Sequence, residues 1–420
     1  MGRQALRPLR MENILTYLRW MVYKKLSLPV LSEYRETNKR KNIINWIACL
    51  ILMVFYAGTW LSPYFYHITE IYNSLIVFAA LVILFFNNID VTGQLKSRDY
   101  CLYALILAGL VGAANLFIIA SNKGCILILA DFLLIWYLSS HLRLDGRILE
   151  FMNLVFLLVF IVWFAIDLAF SYNSNTGASV TVFTFMCAML FISRLSAKRE
   201  IYGLITVLCV VRLVNLVLWH LARGAFIALA LFLVFYYLVP ESFYKNKRIW
   251  TALAFFSTLG SLAFVIFYVA LAATGVNFQM PFFYKSLFSG REQIWLEIWK
   301  LLRDKLLTGI GSGYVLDSFF EYNIHNVMYD ILAVHGCIVF VLALFLIISR
   351  MLKMRECFEA SGGRALRLKL LAAAGLFAIA IESFIDMDLM WPDYSPVLLF
   401  LLLNIFSDCN LEKNKEDGNV

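Results

Sequence analysis

Three arginines and one histidine have the residue types and positions needed to act on an anionic substrate at a membrane surface. Arg212 lies deep in an apolar run, Arg223 follows near the end of that run, and Arg291 lies in a long interruption further along. His325 opens the next apolar run. Arginine binds phosphate through a planar fork of charged donors, and an imidazole that is neutral near pH 7 can accept a proton. The four residues suggest a phosphate site with a general base.

Each of these residues also has a structural interpretation. An arginine inside a span costs about 2.5 to 3.5 kcal/mol on insertion scales, so Arg212 could instead pair with a buried acid such as Asp167. Arg223 could extend its charged end to lipid headgroups, and His325 could be an ordinary polar residue at the water–membrane boundary. Residue types alone leave both interpretations open.

Metal and nucleotide chemistry are disfavoured. Asp386 and Asp388 form an acid-x-acid pair, but no second ligand cluster accompanies them on the same side, so no metal site is predicted. The glycine-rich stretch 309–313 lacks the Lys-Ser/Thr that follows the glycines of a P-loop, which argues against nucleotide binding. We therefore expect no metal and no other cofactor.

The elements that must position these residues are membrane helices. Of 420 residues, 62% are hydrophobic and 15% charged, against about 25% charged in average soluble proteins. A spanning helix needs about 20 mostly apolar residues, and such runs follow one another along most of the chain. The sequence predicts an all-α, polytopic bundle of about twelve spans, near 43–61, 71–87, 100–121, 124–140, 151–171, 178–195, 201–219, 224–239, 249–274, 325–349, 366–389 and 391–406.

The distribution of Lys and Arg predicts the orientation of these spans, because short cytoplasmic loops retain basic residues. Loops 62–70, 172–177 and 390–396 contain no Lys or Arg. Both termini are therefore predicted to be cytoplasmic. The net charge of +8 follows from this topology and from contact with anionic membrane lipids, so it does not indicate nucleic-acid binding. Basic residues fall in every second connection, as Lys96/Arg98, Arg143/Arg147, Arg194/Lys198/Arg199, Lys245/Lys247/Arg248 and Arg350/Lys353/Arg355/Arg364.

We predict one membrane domain with two short cytoplasmic extensions. Residues 1–42 are basic, and residues 13–25 have the pattern of an amphipathic helix at the membrane interface. The transmembrane domain covers 43–406, and 407–420 form a cytoplasmic tail. No internal repeat or flexible linker divides the chain further.

One connection, 275–324, is much longer than the others and is predicted to face away from the cytoplasm. It is too apolar and aromatic for a disordered segment, and loops of this length are commonly functional. Residues 291–307 predict a helix on the outer membrane surface, ended by the glycines at 309–313. The apolar residues at helical spacing are Ile294, Trp295, Ile298, Leu301 and Leu302.

Four short motifs follow one another along the chain: Leu221-Ala222-Arg223-Gly224-Ala225, Ser289-Gly290-Arg291 with Trp295, Gly309-Ile310-Gly311-Ser312-Gly313 and His325-Asn326. Their order and their predicted side of the membrane make the chain resemble the O-antigen polymerase/O-antigen ligase superfamily. The resemblance covers the overall topology and, at motif level, about residues 205–345. Ala222 stands where Ser is commoner in that family, so the first motif departs slightly at this position.

This resemblance implies a GT-C-like bundle in the bacterial inner membrane that moves a glycan from an undecaprenyl diphosphate carrier to a sugar hydroxyl, on the extracytoplasmic side. It implies that Arg223 and Arg291 hold the diphosphate and that His325 takes the hydroxyl proton, with inversion at the anomeric carbon. Arg212 has no secure counterpart and is a candidate third phosphate contact. A flippase and a chain-length regulator are the implied protein partners.

Two alternatives differ in what happens to the glycan. A polymerase would join the donor to another lipid-linked repeat, and a ligase would join it to a terminal acceptor such as the lipid A core. We favour the polymerase because more surface polysaccharide pathways require one. A flippase or other transporter would instead need internal repeats and charges along a path to the cytoplasm. A purely structural scaffold gives no reason for Arg212.

Overall fold

The computed structural model describes most of the membrane domain. By their internal contacts, residues divide into two units, Met1–Asn42 and Ile43–Val420, and the site discussed below lies in the second. The amphipathic helix predicted at 13–25, Asp167, Asp386 and Asp388 lie outside the described residues. These are 39–119, 124–166, 172, 174–195, 199–275, 279–280, 283, 285–286, 288, 290–317, 324–385, 389–390 and 396–407.

The described residues are predominantly helical, which confirms the all-α prediction. The first half of the chain forms α1 (Lys39–Leu61), α2 (Pro63–Asn88), α3 (Val91–Lys96), α4 (Tyr100–Ile118), α5 (Gly124–His141), α6 (Gly146–Ala165), α7 (Ser174–Leu195) and α8 (Arg199–Trp219). The second half forms α9 (Arg223–Leu233) with a π-helical turn (Val234–Leu238), α10 (Glu241–Lys245), α11 (Lys247–Ala273), a hairpin of β1 (Gln279–Met280) and β2 (Lys285–Ser286), α12 (Arg291–Leu302), α13 (Val327–Glu359), α14 (Gly363–Glu382) and α15 (Pro396–Asn404).

The apolar helices fit a multi-pass membrane protein. Six of the described helices, α1, α6, α7, α8, α11 and α13, are long and apolar enough to cross a membrane, and the count is seven if the bent helix α2 is taken as one span. Shorter apolar helices cover Tyr100–Asn115, Cys125–His141 and Arg223–Leu238. Each of the twelve predicted segments overlaps a helix, but only six or seven of these helices are long and apolar enough to span, so the count of twelve stays a prediction.

The centre of the bundle is formed by α7, α14 and α15. Every residue of α15 is buried, and the middle of α14 is a run of small residues, 372–375, that packs toward α9 and α7. Ala225 and Ala228 of α9 are fully buried. Small side chains let helix backbones approach closely, which increases the van der Waals packing that helps to hold helices together in lipid.

The outer helices present apolar side chains outward. On α8, Leu204, Val207, Leu208 and Val211 are each about 60% exposed. A helix with apolar residues on its exposed face is expected where the surrounding solvent is lipid. This surface therefore agrees with the membrane assignment.

The bundle has a basic end, defined here by Lys245, Lys247, Arg248, Lys353 and Arg355. The Arg355 guanidinium donates to the carbonyl oxygen of Lys245 at 3.3 Å, so the end of α13 meets α10. The start of α9, the end of α11 and the start of α13 lie at the opposite end, because these helices cross the bundle lengthwise.

Arg350 corrects one detail of the predicted topology. The sequence pattern assigned it to a basic connection after a span ending at 349, whereas α13 continues to Glu359 and Arg350 is buried within it. Its guanidinium donates to the Ser139 hydroxyl at 3.0 Å and to the Leu403 carbonyl oxygen at 3.1 Å. A buried arginine must be hydrogen-bonded, so Arg350 ties three helices together.

Candidate functional site

Arg223 is the first residue of α9, at the end of the bundle opposite the basic end. Leu221 precedes it with a left-handed backbone, φ +52°, which is uncommon for a residue with a bulky side chain. The N-cap residue, Ala222, has no side-chain oxygen with which to cap the helix. The side chain of the N-cap residue therefore does not cap the first turn of α9, which begins at a charged guanidinium.

The β1–β2 hairpin of the long connection lies against Arg223. The guanidinium donates to the carbonyl oxygen of Ser286 at 2.7 Å and lies 3.6 Å from the sulfur of Met280. The buried ring of Phe283, between the two strands, meets Phe226 of α9 edge-on at 5.6 Å between centroids. The connection is thus fastened directly over the start of α9.

Arg291 begins α12 in the same way that Arg223 begins α9. Gly290, the N-cap, has φ +90°, a left-handed conformation that glycine adopts readily, and it offers no side-chain cap. The Arg291 guanidinium donates to the carbonyl oxygen of Ile385, just beyond the end of α14. Arg291 is therefore held between α12 and α14.

The predicted helix at 291–307 is present but ends earlier than predicted. It ends at Leu302, where tight turns through Lys305 and Thr308 replace it. Of the five apolar residues at helical spacing, four are buried and Leu301 is 41% exposed. The buried face packs against α11 and α13.

Arg223 and Arg291 line one cavity of about 210 Å³, here called the arginine cavity. Its other lining residues are apolar or aromatic, and no carboxylate is among them: Gly224, Ile227, Phe264, Tyr268, Met280, Trp295 and Ile385. Two permanently charged guanidinium groups within apolar walls favour an anion, since low polarity strengthens the attraction. The two helix starts add their positive dipole ends.

His325 lies beside the arginine cavity without lining it. Its backbone is left-handed, φ +53°, and it directly precedes Asn326, the N-cap of α13. The Trp295 indole N–H donates to the carbonyl oxygen of Ile324 at 2.7 Å. Because Trp295 also lines the cavity, the residue before His325 is bonded to the cavity wall.

Asn326 fixes the other side of His325. Its side-chain oxygen accepts from the Ser261 hydroxyl at 2.7 Å and from the Tyr329 N–H at 3.0 Å, and its amide donates to the Phe384 carbonyl oxygen at 3.2 Å. Phe384 precedes Ile385, which lines the cavity. A left-handed non-glycine residue persists where its surroundings hold it, and functional sites are common places for such strain.

An apolar groove of about 430 Å³ adjoins the arginine cavity. Trp295 lines both spaces, so the groove and the cavity share a wall. Ile266 at its margin is 71% exposed, and Trp299 is 48% exposed, so the groove faces the lipid surface of the bundle. Its lining residues come from α11, α12 and α13: Leu262, Val265, Ile266, Val269, Ala270, Ala273, Trp295, Leu296, Trp299, Tyr329 and Leu332.

Arg212 is not among the residues that line the arginine cavity. It is half-buried on α8, and its guanidinium lies 3.4 Å from the side-chain oxygen of Asn215 on the same helix. The alternative partner, Asp167, lies outside the described residues. The predicted third phosphate contact remains a prediction.

The glycine-rich stretch at 309–313 has a structural role. Gly309 and Gly311 have left-handed backbones, and Ile310 N–H donates to the Ala333 carbonyl oxygen at 2.7 Å. The helix α13 is interrupted at Gly336, whose φ is +84°. The backbone of the glycine-rich stretch packs directly against the backbone of α13 at this interruption. The Asn115 amide donates to the carbonyl oxygens of Thr308 and His335, which joins the two segments to α4.

Sequence reasoning missed Phe264 and Tyr268, which form the aromatic wall of the arginine cavity. Their rings contact each other in a tilted arrangement with centroids 5.6 Å apart, and the Tyr268 ring also meets that of Trp295 at 5.2 Å. The one available signal was a pair of aromatic residues one helical turn apart near the end of a span. Within the described residues, no group of three His, Cys, Asp or Glu side chains is arranged to hold a metal ion.

Comparison with known proteins gave no match: no family model, curated protein or solved structure corresponds to this chain.

Proposed function

We propose that this protein transfers a glycan from a polyprenyl diphosphate carrier to a sugar hydroxyl, as the resemblance to the O-antigen polymerase/ligase superfamily implies. The observation that carries the proposal is the shared wall between the arginine cavity and the apolar groove. A lipid diphosphate has a compact, multiply charged head joined to a long apolar chain. A cationic space beside a lipid-facing groove matches both parts of such a molecule.

The two ends of the bundle support an extracytoplasmic site. The arginine cavity lies at the end opposite the basic end, and basic residues accumulate on the cytoplasmic side of membrane proteins. The cavity would then face the periplasmic side of the inner membrane, with both termini in the cytoplasm. The twelve-span count and the GT-C-like arrangement belong to this proposal.

In the proposed reaction, the acceptor hydroxyl attacks the anomeric carbon of the donor sugar. The bond from that carbon to the diphosphate oxygen breaks, and its electron pair leaves on the diphosphate. Arg223 and Arg291 stabilise the negative charge that develops there. His325 accepts the hydroxyl proton. Attack opposite the leaving group inverts the anomeric carbon, and the charged arginines do the work that a metal ion does elsewhere.

Polymerisation of lipid-linked repeat units is the preferred version of this activity. Its partners would be a flippase that delivers the carrier and a protein that regulates chain length. The same site would serve a ligase that transfers the glycan to a terminal acceptor. The difference lies in the acceptor, which would approach His325 from the side opposite the diphosphate.

The direct test incubates purified protein with an undecaprenyl diphosphate oligosaccharide and resolves the products by size. A ladder of longer products supports the polymerase, and one product on an added lipid A-core acceptor supports the ligase. If proteoliposomes move the substrate across the bilayer without forming either product, both enzyme proposals are wrong and the transporter alternative stands.

Two variants test the roles of the site residues. His325→Ala should abolish transfer while the protein still inserts into the membrane and folds. Arg291→Lys should also impair transfer, because a point charge does not reproduce the planar fork. Arg303→Lys is the matched control, since Arg303 follows α12, is largely exposed and lies outside the cavity. Near-normal turnover of His325→Ala would exclude it as the base.

A further inference from the structure

A second polar space lies at the far end of α9 from Arg223. It has a volume of about 410 Å³ and is here called the tyrosine cavity. It lies between the start of α8, the π-helical turn after α9 and the start of α14. Its lining residues are Tyr202, Gly203, Tyr236, Tyr237, Glu241, Gly363, Leu366, Arg367 and Leu370.

The tyrosine cavity is separate from the arginine cavity. Tyr236 follows Arg223 by about three and a half turns of helix, which corresponds to roughly 20 Å at 1.5 Å per residue. It lies at the basic end, since Glu241 belongs to α10 together with Lys245. A ligand in one cavity therefore cannot reach the other with its polar group.

The tyrosine cavity contains one positive and one negative side chain. Within the described part of the chain, Arg367 forms no hydrogen bond or ion pair with a carboxylate, and it lines the cavity together with Tyr202. Glu241 pairs with Lys245 one helical turn further on, and its side chain remains 45% exposed. Both groups can therefore still bind a ligand.

Aromatic rings surround these two charges. Tyr236 and Tyr237 lie edge to face with ring centroids 4.7 Å apart. Both belong to the π-helical turn, where backbone hydrogen bonds join residues five apart instead of four. Turns of this kind are found disproportionately at functional sites. Tyrosine hydroxyls can donate to a phosphate, and tyrosine faces attract an ammonium group.

A lipid-facing apolar surface continues from the tyrosine cavity along α8. Leu204, Val207 and Leu208 follow Tyr202 and Gly203 within two turns, and each is about 60% exposed. A molecule whose polar group occupied the cavity could lay an acyl chain on this surface. These properties match a phospholipid better than a soluble metabolite.

We propose that the tyrosine cavity binds the headgroup of a zwitterionic phospholipid, with the phosphate at Arg367 and the ammonium group at Glu241 and the tyrosine rings. The presence of both charge signs argues for this class over a purely anionic headgroup, which Glu241 would repel. The site stands independently of the proposed transferase activity.

The test compares lipids retained by the purified full-length protein, using native mass spectrometry after exchange into micelles with equal phosphatidylethanolamine and phosphatidylglycerol. We expect phosphatidylethanolamine to be retained in excess and Arg367→Gln to reduce its retention at least fivefold. Arg364→Gln, an exposed residue on the same helix outside the cavity, should retain it normally. Equal retention by Arg367→Gln and Arg364→Gln would overturn the site.

Glu241→Gln separates the two headgroup classes. It should lower the preference for phosphatidylethanolamine over phosphatidylglycerol while leaving total phospholipid retention similar. A preference for phosphatidylglycerol in the unmodified protein would overturn the zwitterionic assignment. Soluble phosphoethanolamine is a third arm: if it displaces the lipid at micromolar concentration, the ligand is the free headgroup compound and the lipid proposal fails.

Discussion

The indole N–H of Trp295 donates to the carbonyl oxygen of Ile324 over 2.7 Å, which joins α12 to the residue before His325. A second bond runs in the same place, because the Tyr329 hydroxyl donates to the Trp295 carbonyl oxygen at 2.9 Å. Arg291 and His325 belong to segments that are otherwise separated by a long stretch of chain. These two bonds fix the relative positions of the proposed phosphate ligand and the proposed base.

Replacing Trp295 with Phe should weaken this connection. The aromatic ring is kept, but the buried Ile324 carbonyl loses its donor, which costs about 1–3 kcal/mol. We expect a lower thermal unfolding temperature and slower transfer. Trp219→Phe is the control, because Trp219 is 71% exposed, lines neither the arginine cavity nor the apolar groove, and its indole makes no hydrogen bond within the described residues. Identical losses in the two variants would show that the bond has no special role.

Arg223→Lys should lower the transfer rate about a hundredfold, the usual cost of removing one preorganised donor from a developing negative charge. The positive charge remains, so the loss would report the geometry of the guanidinium fork. Initial rates with a lipid diphosphate oligosaccharide in proteoliposomes measure it.

Arg212→Lys is the informative comparison, because Arg212 contacts Asn215 and does not line the arginine cavity. We expect its rate to stay close to that of the unmodified protein. A loss as large as that of Arg223→Lys would restore Arg212 as a phosphate contact.

The helices could be predicted from the sequence because the signal for them is local. A run of about 20 apolar residues identifies a membrane helix without knowledge of its neighbours. The start of α12 was also predictable, since Gly290 is a typical break. Its packed face was not, because a helical repeat does not tell which side meets the bundle. Leu301 matched the repeat and is nevertheless exposed.

The site was predictable only in part. The orientation predicted from Lys and Arg assigned Arg223, Arg291 and His325 to one side of the membrane. It could not show that Arg223 and Arg291 line one cavity, because that depends on how the helices pack. The contact of Arg291 with Ile385 joins two segments with no sequence relation. The role of the glycine-rich stretch was missed for the same reason, since its partner is a break in α13 at Gly336.

Phe283→Ala should loosen the hairpin that covers Arg223. The Phe283 ring is 5% exposed and packs on Phe226, so its removal leaves a cavity at the only aromatic contact described between the hairpin and α9. We expect faster hydrogen exchange at residues 279–288 and slower transfer, with little change in the unfolding temperature of the bundle. Val315→Ala, at an 80% exposed site in the same connection, is the control. Unchanged exchange at 279–288 would contradict the proposed anchoring.

Gly336→Ala should destabilise the whole cavity end of the bundle. The residue has φ +84°, where an alanine is strained by about 1–3 kcal/mol. An added Cβ would also collide with the backbone of Leu307 and Thr308, which cannot yield as a flexible side chain would. We expect reduced yield of folded protein and a lower unfolding temperature.

Gly109→Ala is the control for this substitution, since nothing lies within 4 Å of a Cβ placed there and alanine is the better helix former.

Gly309→Ala should resemble Gly336→Ala, because a Cβ at Gly309 would meet the Val334 carbonyl oxygen at 2.5 Å. The double variant should lose less than the sum of the two single losses, because both substitutions disrupt one contact. Full additivity, measured by thermal unfolding, would mean that the two glycines act independently.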